Sequence, residues 1–520
     1  MKLEYLYLDG YKSLKKVSLS FKEQESSASV NFLIGQNGSG KSSLLEAIGL
    51  IFSRIMQEEV PGFEFKIRYR MPDGTIIQVM SDIQEKMDGK LRVEIKKQGE
   101  TIQTNKIPNE YLPDRMVSYC SGANHSMEEI LLKSSKEALV EELYDLSLLE
   151  EEADNQQVNK ILAYCEQLEN NPKVLSLDAE TSKFILPVLF SVFPLDLYEK
   201  DNRKEAWEYC RLREMLLKRM SRKMIPSAFS FRVHREVLER SGDLPQLNLL
   251  ERLLGEGKSE NGMKADYIKH GWSSGQTGED GSLLEESTAV FLFQKMDVDL
   301  SESYFHPGLQ QFFGGNPFML LSVLLTAHEF GVIDNLEFLY KMENEKGLYS
   351  LEALSDGELM WLARTGLVLM AQPYCGENTL FLYDEPDVHF NDDWNKDFMK
   401  ILYELSKNTH HQFLIATHST LLLTDARQEQ LMLIHQVPGE NTEVRPAEIS
   451  TFAAHRDTIA KEVFHANAIG SYARETVQQM MREKDKKKME ENIGKLGPGF
   501  QRFRLYEQYY QVFGEDSELR

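Results

Sequence analysis

Apolar and polar residues alternate through the opening of the chain, as Leu3, Tyr5 and Tyr7 and then as Val17, Leu19 and Phe21. A period of two, broken from Asp9-Gly10 to Lys16, predicts two half-buried strands joined by a turn. The alternation returns from Phe63 to Tyr69, turns at Pro72-Asp73-Gly74, resumes from Ile76 to Val79, and follows Asp88-Gly89 from Leu91 to Ile95. Together these segments predict an antiparallel β patch. Residues 30–34, 115–120, 379–383 and 412–416 read as further strands. The third, a continuous apolar run ending in Asp384-Glu385, has the character of a central parallel strand. Helical spacing appears at Leu44, Leu45, Ile48, Ile51, Phe52 and Ile55, and again at Met360, Leu362, Leu367 and Leu369.

From about residue 127 to 350 the pattern becomes mostly helical, rich in Leu, Glu and Lys and interrupted at Pro172, Pro187, Pro194 and Pro226. No heptad persists through three or four repeats, so a long coiled-coil arm is not encoded. Residues 255–282 are rich in Gly, Ser and charge and predict a mobile surface loop. The expected division is therefore 1–126, a mostly helical insertion over 127–344, a second lobe over 345–470, and a helical appendage over 471–520.

Composition narrows the setting. The chain has 520 residues, 42% of them hydrophobic and 27% charged, which are the proportions of a soluble globular protein of several domains. Cys120, Cys165, Cys210 and Cys375 are scattered with no C-x-x-C pair. That argues against a zinc ribbon or a disulfide framework and for a reducing, cytoplasmic setting. The longest apolar run, Phe184 to Leu195, is too short for a bilayer, and the N-terminus does not read as a signal peptide, so no membrane role is expected. A net charge of −23 argues against a protein that passively coats nucleic acid. Two basic clusters remain candidates for a local nucleic-acid contact or for a solvated helix face: Arg203 to Lys223, and Arg482 with Lys484 and Lys486 to Lys488. The acidic run Glu141 to Asp154 is equally open. Asp297-Val298-Asp299 lacks a partner carboxylate strand and is not read as a metal site.

The chemistry concentrates in two distant places. Residues 30–42 run from an apolar strand into Gly35-Gln-Asn-Gly-Ser-Gly40-Lys41-Ser42, a complete G-x-x-x-x-G-K-[ST] loop that opens a helix. Backbone N–H groups of Gly35, Asn37, Gly38, Ser39, Gly40, Lys41, Ser42 and Ser43 are placed to wrap phosphates at a helix N-terminus. Lys41 reaches the β- and γ-phosphates, and the Ser42 hydroxyl ligates Mg²⁺. The loop thus implies binding of a nucleoside triphosphate. Far along the chain, Asp384 is placed to anchor the same metal ion and Glu385 to deprotonate the attacking water. Thr417-His418-Ser419 follows the next strand, where His418 can report the γ-phosphate.

Between these places stands Leu354-Ser355-Asp356-Gly357-Glu358. Ser355 is a good N-cap for the helix that follows. The pentad also resembles the signature motif of ABC-type ATPases, Leu-Ser-x-Gly followed by Gln or Glu, and the order of P-loop, signature, Asp-Glu strand and strand-His matches as well. The fold this implies is α/β: a P-loop ABC-type ATPase head with an antiparallel β patch, a large helical insertion and a C-terminal helical appendage. By that resemblance two heads meet head to tail, ATP and Mg²⁺ being sandwiched between one P-loop and Ser355 and Gly357 of the other copy. The opening Leu6-Tyr-Leu-Asp-Gly-Tyr-Lys-Ser-Leu14 is similar to that of RecF, SMC and OLD-type ATPases. Glu385-Pro386-Asp387-Val388-His389 resembles the Glu-Pro-x-x-His form of OLD-like members and departs from the transporter pattern, which puts trans contacts by Asn391 and Asp392 in doubt. A Q-loop glutamine is not identifiable; Asn124 stands near its place.

Residues 113–122 and 496–504 further resemble ATPase subunits (PtuA-like) of Septu, retron-associated and restriction-associated bacterial antiphage systems. That resemblance implies a regulatory ATPase whose effector, most often an HNH nuclease, is a separate polypeptide, since no nuclease motif is found in this chain. A RecF- or SMC-like repair ATPase, an ATP-stabilised scaffold with little turnover and a standalone nuclease stand as alternatives.

Overall fold

The computed structural model describes residues 1–24, 28–81, 91–121, 131, 173–194, 203–219, 224–240, 245–254, 267–277, 283–295, 304–343, 345–371, 378–436, 442–465 and 470–514. The chain divides into two compact units, Met1–Ala453 and Ala454–Arg520.

Two sheets dominate the first unit. The larger has seven strands in the order Thr442–Pro446, Leu431–Gln436, Ser29–Ile34, Gln412–Ala416, Thr379–Asp384, Arg115–Cys120 and Val174–Leu177. All its pairings are parallel except that of the edge strand Thr442–Pro446. Ser29–Ile34 and Thr379–Asp384 are buried along their whole length, as their unbroken apolar sequences require. The second sheet is the expected antiparallel patch, ordered Val17–Ser20, Lys2–Asp9, Glu64–Arg70, Ile76–Ser81, Leu91–Lys97 and Glu100–Thr104. The helix Lys41–Met56 shares one core with both sheets. Leu44, Leu45, Ile48, Ile51 and Phe52 are fully buried and Ile55 nearly so, and they pack with Leu6, Ile67 and Val79 of the patch and Leu382 and Leu414 of the parallel sheet.

The middle of the chain departs from expectation in part. Among its described residues the segment has helices Ile185–Ser191, Arg203–Arg219, Pro245–Leu254 and Pro317–Glu329, as expected. It also carries a four-stranded antiparallel sheet, ordered Tyr267–Thr277, Leu283–Leu292, Met224–His234 and Ile333–Met342. Pro226, read from sequence as an interruption, lies inside Met224–His234 where the register slips between Pro226 and Ala228. A bulge is where a strand tolerates a residue without an N–H donor. Residues 267–277, placed by sequence in a mobile loop, form one of these strands; the rest of that loop, Asn124, Glu141 to Asp154 and Asp297 to Asp299 lie outside the described residues.

The basic stretch from Arg203 is only partly a solvated face. Arg213 is buried, its guanidinium lies 4.8 and 4.9 Å from the ring centres of Phe190 and Phe193, and it donates to the Leu189 carbonyl at 3.0 Å. Arg211 pairs with Glu208 and Glu404. No helix among the described residues is long and apolar enough to cross a membrane.

Candidate functional site

Three adjacent parallel strands end at one edge of the larger sheet. Register pairs Asp384 with Ala416, and Ala416 with Leu33. The residues just beyond these ends, Gly35 onward, Glu385 and Thr417-His418, therefore come together, although 385 residues separate Leu33 from His418. Strand-end crevices of open α/β sheets are where ligands bind. Here the crevice is a cleft of about 340 Å³ lined by Ser13, Asn37, Gly38, Gly40, Lys41, Ser42, Ser43, Glu385 and His418.

The P-loop is shaped by its glycines. Gly40 caps the helix with φ +100°, a backbone that side chains rarely adopt. A Cβ at Gly35 would stand 2.2 Å from the Ile434 carbonyl oxygen. No side chain caps the helix N-terminus, so its N–H groups face the cleft as an anion site. Ser39 is buried behind the loop and does not line the cleft.

Lys41 is almost fully buried, and burial lowers its pKa against the opposing pull of Glu385 and Asp384. Its ammonium donates to the carbonyls of Gly35 at 3.3 Å and Gln36 at 3.2 Å, and lies 2.5 Å from His418 Nε2. An ammonium can only donate, so Nε2 accepts and the His418 ring carries its proton on Nδ1. Burial, and then the Lys41 charge, depress the His418 pKa, in keeping with that neutral form.

Asp384 and Ser42 meet by a side-chain hydrogen bond. Asp384 is buried, and its Oδ1 has no hydrogen-bond partner among the described residues. Burial raises its pKa to about 6, with Ser42 opposing and Glu385 adding to the rise. An orphaned buried carboxylate oxygen beside a hydroxyl is an all-oxygen donor set, which fits Mg²⁺. Among the described residues no group of three or more His, Cys, Asp or Glu could hold a metal ion by itself. Phosphate oxygens and water would therefore complete the shell, as Mg²⁺ prefers.

The pH dependence has a definite sign. A carboxyl whose pKa stands above its unfolded value keeps its proton longer in the folded chain, so this group's effect on stability worsens as pH rises from 3.8 to about 6. Asp384→Asn is expected to raise the thermal midpoint of the nucleotide-free protein at pH 7.5, by the equivalent of about 1–3 kcal/mol. It should also abolish stabilisation by added Mg²⁺ with nucleotide. A midpoint that does not rise, or an unchanged Mg²⁺ response, sinks this assignment.

Glu385 is the first residue past its strand and adopts φ +49°, left-handed backbone outside glycine. Such strain persists only where surrounding contacts hold it. Its N–H donates to the Ala416 carbonyl at 2.8 Å, and its half-exposed carboxylate lies 3.7 Å from His418 Nε2. Water can reach it, as a general base requires.

The structure does not bring Ser355 or Gly357 to this cleft. Ser355 Oγ accepts from the Glu358 N–H, and the Glu358 carboxylate accepts from the Ser355 N–H, closing a capping box on helix Asp356–Met370. The helix start is thus capped from within, as the N-cap reading of Ser355 expected. Gly357 has a packing role, since a Cβ there would stand 2.7 Å from the His389 carbonyl oxygen. Asn391 caps helix Asp392–Leu405, accepting from the Trp394 N–H at 2.8 Å.

Several contributors were not picked out from sequence. Ser13 reaches the cleft from the turn after Lys2–Asp9, a turn whose Tyr11 and Lys12 are tied to the buried Glu46 of the P-loop helix. Arg364 is fully buried, donates to the Val388 carbonyl and the Tyr119 hydroxyl at 3.0 Å each, and stacks between Tyr119 and Phe390. It fastens the signature helix to the turn that follows Glu385. Thr417 donates to Asp387 at 2.6 Å, and burial raises the Asp387 pKa. An arginine in an otherwise apolar helix was the available signal for Arg364; nothing local marked Ser13.

Fold and cleft together define a P-loop ATPase head of the ABC type. The chain belongs to the RecF/RecN/SMC N-terminal domain family, whose model matches residues 2–443. It is an SMC/RecF-like ATPase, of a family that in general uses ATP with Mg²⁺. Similar solved structures include the SMC head domain from Thermotoga maritima, at 13% identity and TM-score 0.33, covering 86% of this chain and 100% of that one. Another is the Smc head domain with an extended coiled coil, bound to the C-terminal domain of ScpA, from Pyrococcus furiosus, at 15% identity and TM-score 0.32, covering 85% and 96%. Comparison with curated proteins gives no match.

Proposed function

We propose that this protein is the ATP-driven regulatory subunit of a bacterial antiphage system, acting on a separate nuclease, most simply of the HNH type. The observation that carries its ATPase core is the convergence of Lys41, Ser42, Asp384, Glu385 and His418 at adjacent strand ends. In this reading the γ-phosphate takes over the Lys41 ammonium from the Gly35 and Gln36 carbonyls and His418. Ser42 and Asp384 hold Mg²⁺, Glu385 takes a proton from the attacking water, and His418 senses whether the γ-phosphate is present.

Closure by a second copy completes the site. Ser355 of that copy exchanges its internal cap for a phosphate oxygen, so ATP favours the closed pair by the difference in its affinity for the two states. Hydrolysis removes that difference and releases the pair, which is how turnover would hold or license the effector. The antiphage role is supported by the likeness of residues 113–122 and 496–504 to ATPases of such loci.

The test uses the full chain with ATP and Mg²⁺. Light scattering should show ATP-dependent pairing that Ser355→Arg abolishes, while nucleotide affinity per chain changes less than about threefold, because the P-loop is untouched. Co-expression with the neighbouring nuclease reading frame should restrict phage plating, and Ser355→Arg should remove that restriction. An ATP-dependent rise in mass that survives the substitution discards the trans role. Wild-type cells that plate phage as freely as cells lacking the pair discard the antiphage role.

A further inference from the structure

The second unit holds an apolar surface that its own core does not use. Its described residues include helices Arg456–Glu462, Ser471–Met480, Lys486–Lys495 and Phe500–Phe513, with Met489, Ile493, Leu505 and Tyr509 as a buried centre. A helix that buries one stripe normally turns polar residues outward on the other. Phe500–Phe513 does not. Opposite Leu505 and Tyr509 it exposes Phe500 at 70%, Phe503 at 63% and Tyr510 at 40%. At 100° per residue these three fall within one third of the helix circumference, together with exposed Arg504 and Glu507.

We infer that this face binds the same face of a second copy, giving an antiparallel helix pair about a two-fold axis. The pattern is self-complementary. When Phe503 faces Tyr510 of the second copy in an antiparallel pair, Arg504 falls within one turn of the second copy's Glu507, and the reciprocal contact follows from the symmetry. Rings and arginine in the centre with polar residues beside them are the usual make-up of an interface core. An aromatic side chain buries about 150–250 Å² in full. At these exposures, six rings would contribute about 700 Å², roughly half of a standard interface of about 1,600 Å². The stems of Arg504 and Glu507, with exposed Gln511 and Val512, lie alongside to supply more. Such a contact needs no nucleotide, so it is independent of closure around ATP. With both contacts present, pairs made by one would be linked through the other into a larger assembly.

The experiment is light scattering on the full chain with nucleotide and Mg²⁺ removed by EDTA, from about 1 to 50 µM. Twice the monomer mass is expected. Phe503→Ser combined with Tyr510→Ser should weaken pairing at least tenfold while circular dichroism shows the helical content kept, because the buried centre of Met489, Ile493, Leu505 and Tyr509 is untouched. Arg504→Glu alone and Glu507→Arg alone should each weaken it, and the two combined in one chain should restore it. That restoration requires like faces to meet. A monomer at every concentration overturns the inference, as does a dimer indifferent to the aromatic pair; either result assigns the face to a different occupant. Loss of ATP-dependent pairing in Ser355→Arg leaves this measurement unchanged, so the two proposals fail separately.

Discussion

Glu385→Gln is expected to cut steady-state ATP hydrolysis by about 10²–10⁴-fold, the range a positioned general base contributes. Glutamine keeps the shape and the left-handed backbone but cannot take a proton. Nucleotide affinity should therefore stay within about twofold, and the thermal midpoint should hardly move. If ATP closes two heads, the variant has no route out of the closed state except ATP release, and the ATP-bound pair should outlive that of the wild type. Scattering after dilution reads that lifetime. Full hydrolysis in the variant removes Glu385 from the chemistry.

Lys41→Ala should have the second large effect, on binding. The ammonium is held in place by the Gly35 and Gln36 carbonyls and His418, so little order must be gained when phosphate oxygens take over. Hydrogen bonds from a charged donor contribute about 1.5–3 kcal/mol each. Losing one or two should weaken ATP about 10- to 10⁴-fold, since 1.4 kcal/mol is tenfold. Isothermal titration in Mg²⁺ reads it directly. ATP affinity within threefold of the wild type would show that the triphosphate lies elsewhere. Both variants matter to the antiphage reading, since loss of restriction in each would separate a cycling switch from a scaffold that only needs ATP bound.

The parts of the site legible in the sequence are those in which neighbours along the chain do the chemistry together. A P-loop is a turn, a helix start and a hydroxyl within eight residues, and the apolar stripe that follows it matched the buried face of Lys41–Met56 position by position. Asp384 and Glu385 were visible because an apolar strand has no reason to end in two acids unless they are used. The sheet in the middle of the chain was less legible. Its strands Met224–His234 and Ile333–Met342 pair directly across about a hundred residues, and proline and glycine within the segment read as breaks although one proline sits in a bulge.

Legible in the sequence by itself were a phosphate-binding-loop pattern, an apolar strand ending in two acids, an N-cap for the signature helix and a net charge of −23 that argues against passive coating of nucleic acid. Only the tertiary structure decided which of these meet. Parallel pairing brought Leu33, Ala416 and Asp384 side by side, because register is a property of two chains' hydrogen bonds and not of either alone. It set Ser13 against the cleft, buried Arg364 between Tyr119 and Phe390, and kept Ser355 in its own capping box away from the P-loop. Contacts between residues far apart in sequence carry no local signature; they follow from how the elements pack.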